Sequence, residues 1–296
     1  MSLPNFSEVS NLRRIPHELL GEWLFDMAKR NQERISSSNS LEFLWSPDVT
    51  KFIFNVCSSF NIRTCVKYNA LEIFERFLAL HVMELRFFAR NNQDTDNALS
   101  WTSIEERIMN QITLRALTSI QLASKLDSHY NHLLPKQVSD ILDRTNKSYN
   151  KTGIFNSEIR IIRTLKYKMN VTNPSIYVGL LLSVLYNNDP STDDHLYMTS
   201  YKVLDLMYLN RAKIYDHLYE SITGTSATES PENKNMTKIK ADYMLLSTAI
   251  IAASTYIIMK DKWNNVLEQL HQITRLFRTD IRNFSIVIVD VISVLR

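Results

Sequence analysis

The sequence predicts an all-α fold. Its 296 residues include only four glycines and seven prolines, which leaves few positions for tight turns and favours long helices over strands. Apolar residues recur at helical spacing along most of the chain. One apolar segment also occurs twice, as Leu114–Lys125 and Met244–Thr255, and its copies end in Ala-Ser-Lys and Ala-Ser-Thr. A repeated helix rich in small residues indicates two similar bundles, each packed around one such central helix.

Composition and charge limit the class of protein. With 45% hydrophobic residues the chain has enough apolar side chains to build cores, so disorder is not expected to dominate. The 34 Lys and Arg residues against 31 Asp and Glu residues leave a net charge of +3, too small to attract nucleic acid or a membrane surface at long range. No N-terminal targeting segment and no membrane-length apolar run is present. We therefore expect a soluble intracellular protein without a membrane partner, and we do not expect direct binding of nucleic acid.

The N-terminal half predicts a leading helix followed by five more. Residues 1–15 are polar and are expected to be a flexible N-terminus. After Pro16, which a first helical turn tolerates, apolar residues recur at helical spacing to about Ser36. Ser46 and Pro47 predict an N-cap and a first helical position. The five following helices are predicted at about 49–60, 70–78, 104–126, 135–142 and 158–169. These elements make up a predicted N-terminal domain at 16–172.

Pro174 opens a second helical bundle, predicted to cover 173–296. Its helices are predicted at about 176–186, 195–210, 214–219, 238–259, 263–277 and 284–295. The segment 223–235 is polar and turn-rich, so it is the expected mobile loop. The predicted architecture is two tandem five-helix bundles with a leading N-terminal helix.

Several blocks of the first bundle resemble the cyclin box. Residues 52–79 align without a gap on its first two helices and include Glu-Arg-Phe-Leu at 75–78, where cyclins have a similar acid-Arg-Phe-Leu ending. Residues 122–125 are similar to the family's Leu-Ala-Ser-Lys. Further matches are Pro135, Val138, Thr145, Tyr149 and the apolar series after Glu158. Because these blocks keep their order over roughly 120 residues, the chain resembles the cyclin family. The resemblance implies the cyclin fold.

The resemblance also implies a partner-binding site at Lys125 and Glu158. In cyclins the matching Lys and Glu lie side by side and contact the kinase near its mobile C helix. A lysine has three donors for the backbone carbonyls of a partner, and a nearby carboxylate orients the ammonium. Docking that holds the C helix inward completes the kinase's own Lys-Glu pair and activates it. A cyclin-dependent kinase is thus the implied partner, and the chain itself is expected not to be an enzyme.

A wider resemblance covers about residues 16–285. It includes Leu-Asp-Leu-Met-Tyr-Leu at 204–209 and the second copy of the repeated helix, and it is shared with a subgroup of cyclin-box proteins that act in meiosis. This similarity implies a role in the maturation of crossover sites, with meiotic recombination proteins as partners and a nuclear location on meiotic chromosomes. The alternatives are a cyclin-fold scaffold without kinase activation, and a generic cyclin that activates a cell-cycle or transcriptional kinase. Direct DNA binding through the cyclin fold is a third hypothesis.

Other readings of these residues stay open. Lys125 also fits a solvated lysine at a helix end, and Glu158 fits an acid favoured by the dipole at a helix N-terminus. Ser46 and Lys51 stand where cyclins have an Arg and an Asp that pair internally. The sequence therefore leaves open whether the substrate-docking groove of cyclins is present.

No cofactor or catalytic motif is implied. His129 and His132, with Asp127 nearby, lack a third His or Cys at a ligand spacing, so no metal site is expected. Cys57 and Cys65 are expected to be buried apolar side chains rather than a disulfide. The segment 86–90, Arg-Phe-Phe-Ala-Arg, fits a helix end with capping cations better than a nucleic-acid patch.

Overall fold

The computed structural model describes residues 16–38, 45–91, 101–127, 132–145, 149–170, 172–188, 194–224 and 234–294. These residues form thirteen α-helices and one 3-10 helix (Lys260–Lys262), with no strand among them, so the all-α prediction is confirmed. In chain order the α-helices are α1 (His17–Ser37), α2 (Pro47–Ser59), α3 (Thr64–Asn91), α4 (Trp101–Asp127), α5 (Pro135–Arg144), α6 (Lys151–Thr164), α7 (Pro174–Asn188), α8 (Asp194–Leu209), α9 (Arg211–Thr223), α10 (Lys234–Ala241), α11 (Tyr243–Ile258), α12 (Trp263–Thr274) and α13 (Arg278–Val294). The predicted flexible N-terminus and most of the loop predicted at 223–235 lie outside the described residues.

The chain divides into two compact units. The N-terminal unit is Leu41–Val171 and contains α2–α6. The C-terminal unit joins Met1–Ser40 to Thr172–Arg296 and contains α1 and α7–α13. The sequence predicts the leading helix as part of the N-terminal domain at 16–172, whereas in the structure α1 packs within the C-terminal unit.

The repeated helix lies at the centre of each unit. In the N-terminal unit α4 packs against each of the other four helices, and every residue at 116–124 is buried. In the C-terminal unit α11 packs against α7, α8, α12 and α13, and every residue at 246–255 is buried. Helices buried on all sides form the core of a domain, and small residues such as Ala123 and Ala253 let neighbouring helices come close.

Helix α6 differs in its bounds from the predicted helix at 158–169. It starts earlier because Asn150 is its N-cap, whose side chain accepts a hydrogen bond from the backbone N–H of Gly153 (2.7 Å). A prediction from the spacing of apolar residues does not detect such a cap. It ends earlier because Lys166 and Tyr167 adopt left-handed backbone angles, with φ of 50° and 63°. The change moves Glu158 from the predicted start of the helix to its middle.

Polar contacts hold α1 within the C-terminal unit. The Asn31 amide donates to Asp242 Oδ1 (2.8 Å) and accepts from the backbone N–H groups of Tyr243 (2.9 Å) and Met244 (3.2 Å). The Arg34 guanidinium lies 3.9 Å over the Tyr243 ring. Asn31 therefore satisfies two of the free N–H groups at the start of α11 from a distant part of the chain. This contact is one of those that hold the leading helix within the C-terminal unit.

A break at Asp242 separates α10 from α11, where the sequence predicts one helix at 238–259. The Asp242 side chain accepts a hydrogen bond from Leu245 N (2.8 Å) and so caps α11. The two helices meet at a bend of 67°. Among the described residues no single helix is long and apolar enough to cross a membrane. Taken together, the two helices of this bent pair have the length and apolar composition of a membrane span, but the bend divides them.

Candidate partner-binding site

The structure brings Lys125 and Glu158 together. Lys125 lies in the last turn of α4, and its Nζ donates to Glu158 Oε1 in an ion pair. The Lys125 side chain is 39% exposed, whereas that of Glu158 is only 12% exposed. Because Glu158 lies seven residues after the start of α6, the dipole of the helix N-terminus does not account for its position. The carboxylate instead fixes an ammonium at the surface, and this ammonium has two further donors.

Polar contacts below this pair fix α6 against α4. Ser157, which precedes Glu158, accepts a hydrogen bond at Oγ from Arg115 (2.9 Å) and shares another with Thr118 Oγ1 (2.9 Å). Arg115 also donates to Gln111 Oε1 (2.8 Å). Burial lowers the pKa of Arg115 from its ordinary value, yet the guanidinium keeps several hydrogen-bond acceptors. The position of Glu158 is thus set by its neighbour in sequence.

A second contact fixes the other side of α6. Arg160 forms an ion pair with Glu84 on α3 (2.7 Å) and donates to His81 Nδ1 (3.3 Å). The His81 ring stacks on Phe77, with 5.2 Å between centroids. Burial, helped by the charges of Arg160 and Arg115, lowers the pKa of His81 to about 4. The imidazole is therefore neutral near pH 7 and serves as an acceptor.

Exposed apolar side chains lie on the same elements as the ion pair. Phe155, three residues before Glu158 and so on the same face of α6, is 57% exposed. Leu126 beside Lys125 is 60% exposed, and Tyr167 after α6 is 73% exposed. These three residues and the ion pair are together called the α4–α6 surface, which consists of Lys125, Leu126, Phe155, Glu158 and Tyr167. Large exposed apolar side chains around a fixed charge are typical of a protein-binding surface.

Sequence reasoning missed Phe155 and Leu126 as site residues. Phe155 lies before the helix predicted at 158–169, and Leu126 is only the last residue of the helix predicted at 104–126, since periodicity does not distinguish a core position from an exposed one. Once the helix is known to start at Lys151, the spacing of three between Phe155 and Glu158 places them on a shared face.

The end of α4 is tied to the start of α3. Asp127 accepts from Arg63 Nη1 (3.2 Å) at one oxygen and from the Cys65 thiol (3.2 Å) at the other. The Ser124 hydroxyl accepts from Leu133 N (3.0 Å), which fixes the chain that follows. These contacts hold the last turn of α4, and with it Lys125, in one position.

The cysteines take two different environments. Cys57 is 2% exposed, and burial raises the pKa of its thiol to about 12, as suits a buried apolar side chain. Cys65 is only partly buried and bonds to Asp127. Both are free thiols. His129 of the metal hypothesis lies outside the described residues, and no group of three metal-binding side chains occurs within the described ranges.

The two departures from the cyclin pattern serve other roles here. Ser46 is the N-cap of α2, where its Oγ accepts from Val49 N (3.4 Å), and Pro47 holds the first helical position, so this predicted start is confirmed. Lys51 is exposed on α2. The side chains at 46 and 51 therefore do not reproduce an Arg-Asp pair.

The basic-aromatic segment 86–90 lies at the C-terminal end of α3. Arg90 is in the last turn, consistent with a cation at a helix end. Phe87 and Phe88 are 63% and 60% exposed, with their rings edge to face at 6.3 Å between centroids. Arg86 lies 5.1 Å over the Trp101 ring.

Comparisons with known proteins agree with this fold. The profile of the family "Cyclin, N-terminal domain" matches residues 26–170. The chain is 29% identical over 273 residues to human "Cyclin N-terminal domain-containing protein 1", an alignment that covers 90% of this chain and 82% of the human protein. The mouse protein of the same name is also 29% identical over 273 residues, covering 90% of this chain and 81% of the relative. With an all-α structure, a matching domain at 26–170 and relatives aligned across both halves, the chain carries a cyclin N-terminal domain and is similar to these relatives along most of its length.

Proposed function

We propose that this chain is a noncatalytic cyclin-like regulator that binds a cyclin-dependent kinase through the α4–α6 surface. The observation that carries the proposal is the ion pair between a half-exposed Lys125 and a nearly buried Glu158. These residues match the family positions that contact the kinase, in a chain that carries the family's N-terminal domain. A regulatory rather than an enzymatic role agrees with the presence of this domain.

The surface has the chemistry to hold the end of a helix. Lys125 uses one donor on Glu158, and its remaining donors are available to the free carbonyls at a helix C-terminus. Phe155 and Leu126 supply apolar area next to these donors. In the proposed complex the kinase C helix is held inward by these contacts, which completes the Lys-Glu pair beside the nucleotide.

The test exchanges the two charges. In the double variant Lys125→Glu, Glu158→Lys the ion pair re-forms with reversed polarity, so the fold is kept while an acceptor replaces the donor at the exposed position. We expect affinity for a panel of purified cyclin-dependent kinases to fall by at least about tenfold, because carbonyl groups then face a carboxylate. Surface plasmon resonance measures the affinity, and circular dichroism checks helicity.

A matched exchange on the same helix is the control. Arg160→Glu with Glu84→Arg reverses a second ion pair of α6, whose two residues are not part of the α4–α6 surface. This control is expected to bind like the wild type. Equal binding by both exchanged variants and wild type would rule out the α4–α6 surface as the kinase site. Binding without a gain in kinase activity would instead favour an interaction scaffold on the same fold.

The proposed place of action is the nucleus, at crossover sites on paired meiotic chromosomes, together with recombination proteins. The support is the resemblance of both halves of the chain to cyclin-box proteins of meiosis, together with relatives aligned over 90% of its length. A tagged chain is expected to form foci on chromosome spreads in late prophase, and its loss is expected to reduce crossovers. Normal crossover numbers without the chain would contradict this part of the proposal.

A further inference from the structure

The C-terminal unit has a surface groove between α9 and α13. Its volume is about 630 Å³, and it is partly open to solvent. Cavities of this size hold several side chains or a small ligand. None of the groove's residues belongs to the α4–α6 surface, so the proposed kinase contact leaves the groove without a role.

One wall of the groove is an apolar stripe. Val287, Val291 and Val294 lie four and three residues apart, and therefore on one face of α13. The first two are 8% and 7% exposed, whereas Val294 is 85% exposed. The groove thus has an apolar floor with a protruding apolar side chain at one end. An apolar groove beside an exposed apolar side chain is typical of a protein interface.

Each wall carries a charged residue for which the described residues supply no ion-pair partner. Lys213 on α9 and Asp290 on α13 are both exposed groove residues. Within the described part of the chain neither forms an ion pair, with the other or with any third residue. The nearby His217 and Glu220 lie next to each other on α9, with 3.9 Å between Nδ1 and Oε2. An occupant that is apolar and supplies both an anion and a cation would therefore complement the groove.

We infer that the occupant is a second copy of this chain. In a two-fold arrangement the same patch faces itself, so Lys213 of each copy meets Asp290 of the other, and both lone charges are paired. The valine stripes then face each other, and Val294 of each copy enters the groove of the other. A nucleic acid or a purely acidic peptide would leave Asp290 facing like charge, which argues against those occupants.

The patch is small, so the dimer is a weak one. Stable dimers usually bury about 800 Å² on each partner, and this groove is short, spanning about two turns of α13. We therefore expect a dissociation constant in the micromolar range. Analytical ultracentrifugation of the full chain from about 1 to 200 μM is expected to show a reversible monomer–dimer equilibrium.

Charge reversal gives the decisive test. Lys213→Glu alone and Asp290→Lys alone each place like charges across the interface, and each is expected to weaken dimerisation at least tenfold. The double variant Lys213→Glu, Asp290→Lys restores opposite charges and is expected to recover the dimer. Since the charged positions are exposed, circular dichroism should be unchanged in all three.

Two matched substitutions of exposed apolar residues distinguish association through the groove from nonspecific hydrophobic association. Val294→Asp is expected to abolish the dimer, whereas Met198→Asp, at a 52% exposed position on α8 outside the groove, is expected to leave it intact. A chain that stays monomeric up to 200 μM, or a double charge variant that does not recover, would overturn the inference. Kinase binding plays no part in these measurements, so they succeed or fail separately from the proposed function.

Discussion

Lys125 and Thr255 hold the same position in the two copies of the repeated helix, but their surroundings differ. Lys125 reaches the surface and pairs with Glu158. Thr255 is fully buried, and its hydroxyl donates to the carbonyl of Ile251 one turn back (2.9 Å). A lysine at 255 would bury an ammonium without a counter-charge, which is costly. Both copies of the repeat form a helix that packs closely on its neighbours. The residue at the last position of the repeat, Lys125 or Thr255, decides whether a charge is present at the surface there.

Gln121, in the centre of α4, lowers the stability of the folded state. It is 0% exposed, and neither atom of its amide has a hydrogen-bond partner among the described residues. A buried polar group without a partner costs about 1–3 kcal/mol. Gln121→Met keeps the length of the side chain and removes this cost, so we expect the free energy of unfolding to rise by about 1 kcal/mol. Urea denaturation followed by circular dichroism measures the change.

Gln111→Met is the control for this change. Gln111 lies on the same helix, but its amide oxygen accepts from Arg115 (2.8 Å), so the same substitution is expected to lower the free energy of unfolding. A lower stability for Gln121→Met would show that the Gln121 amide is hydrogen-bonded in solution, for example to a buried water.

The junction of α10 and α11 links stability to pH. Asp242 Oδ1 accepts from both Asn31 Nδ2 and Leu245 N, and burial, more than any other effect, raises the pKa of this carboxyl. The folded state therefore keeps the Asp242 proton to a higher pH than the unfolded state, whose pKa is about 3.9. The stability that this proton contributes is complete below about pH 4 and is lost as pH rises through the folded pKa.

Asp242→Asn tests this linkage. An asparagine oxygen accepts the same two hydrogen bonds and carries no charge to bury, so the variant is expected to have a Tm about 2–4 °C above wild type at pH 7.5. The difference is expected to shrink as pH falls towards 4. Thermal denaturation at several pH values measures it. Asp261→Asn, at an exposed position, is the control and should match wild type throughout; a constant difference between Asp242→Asn and wild type would refute the linkage.

At the level of elements, helix existence was predictable and helix ends were not. The start of α2 was correct because Ser46 and Pro47 carry a cap signal in adjacent residues. The start of α6 was missed by seven residues because Asn150 caps a turn whose first residues are polar. The break at Asp242 was missed because the apolar pattern runs through it, and because Asn31, which also bonds to Asp242, lies 211 residues away along the chain.

At the level of the whole molecule, α1 packs in the C-terminal unit and not in the predicted N-terminal domain. Its sequence resembles any amphipathic helix, and proximity along the chain suggested the N-terminal bundle. In the structure its buried residues Leu20 and Met27 are 1% and 0% exposed within the C-terminal unit, and Asn31 reaches the start of α11. The C-terminal unit is therefore built from two separated parts of the chain, and its central helix depends on both.

The sequence by itself determined the all-α class and the two central helices, because these rest on local periodicity. The resemblance of several short blocks to the cyclin box supplied the expected fold and the choice of Lys125 and Glu158 as candidate residues. Only the tertiary structure decided that Lys125 and Glu158 form an ion pair, that Phe155 and Leu126 are exposed beside it, and that α1 packs on the C-terminal unit. These features depend on which helix faces lie against each other. Burial and long-range hydrogen bonds arise from packing between distant segments, and helical periodicity describes only one segment at a time.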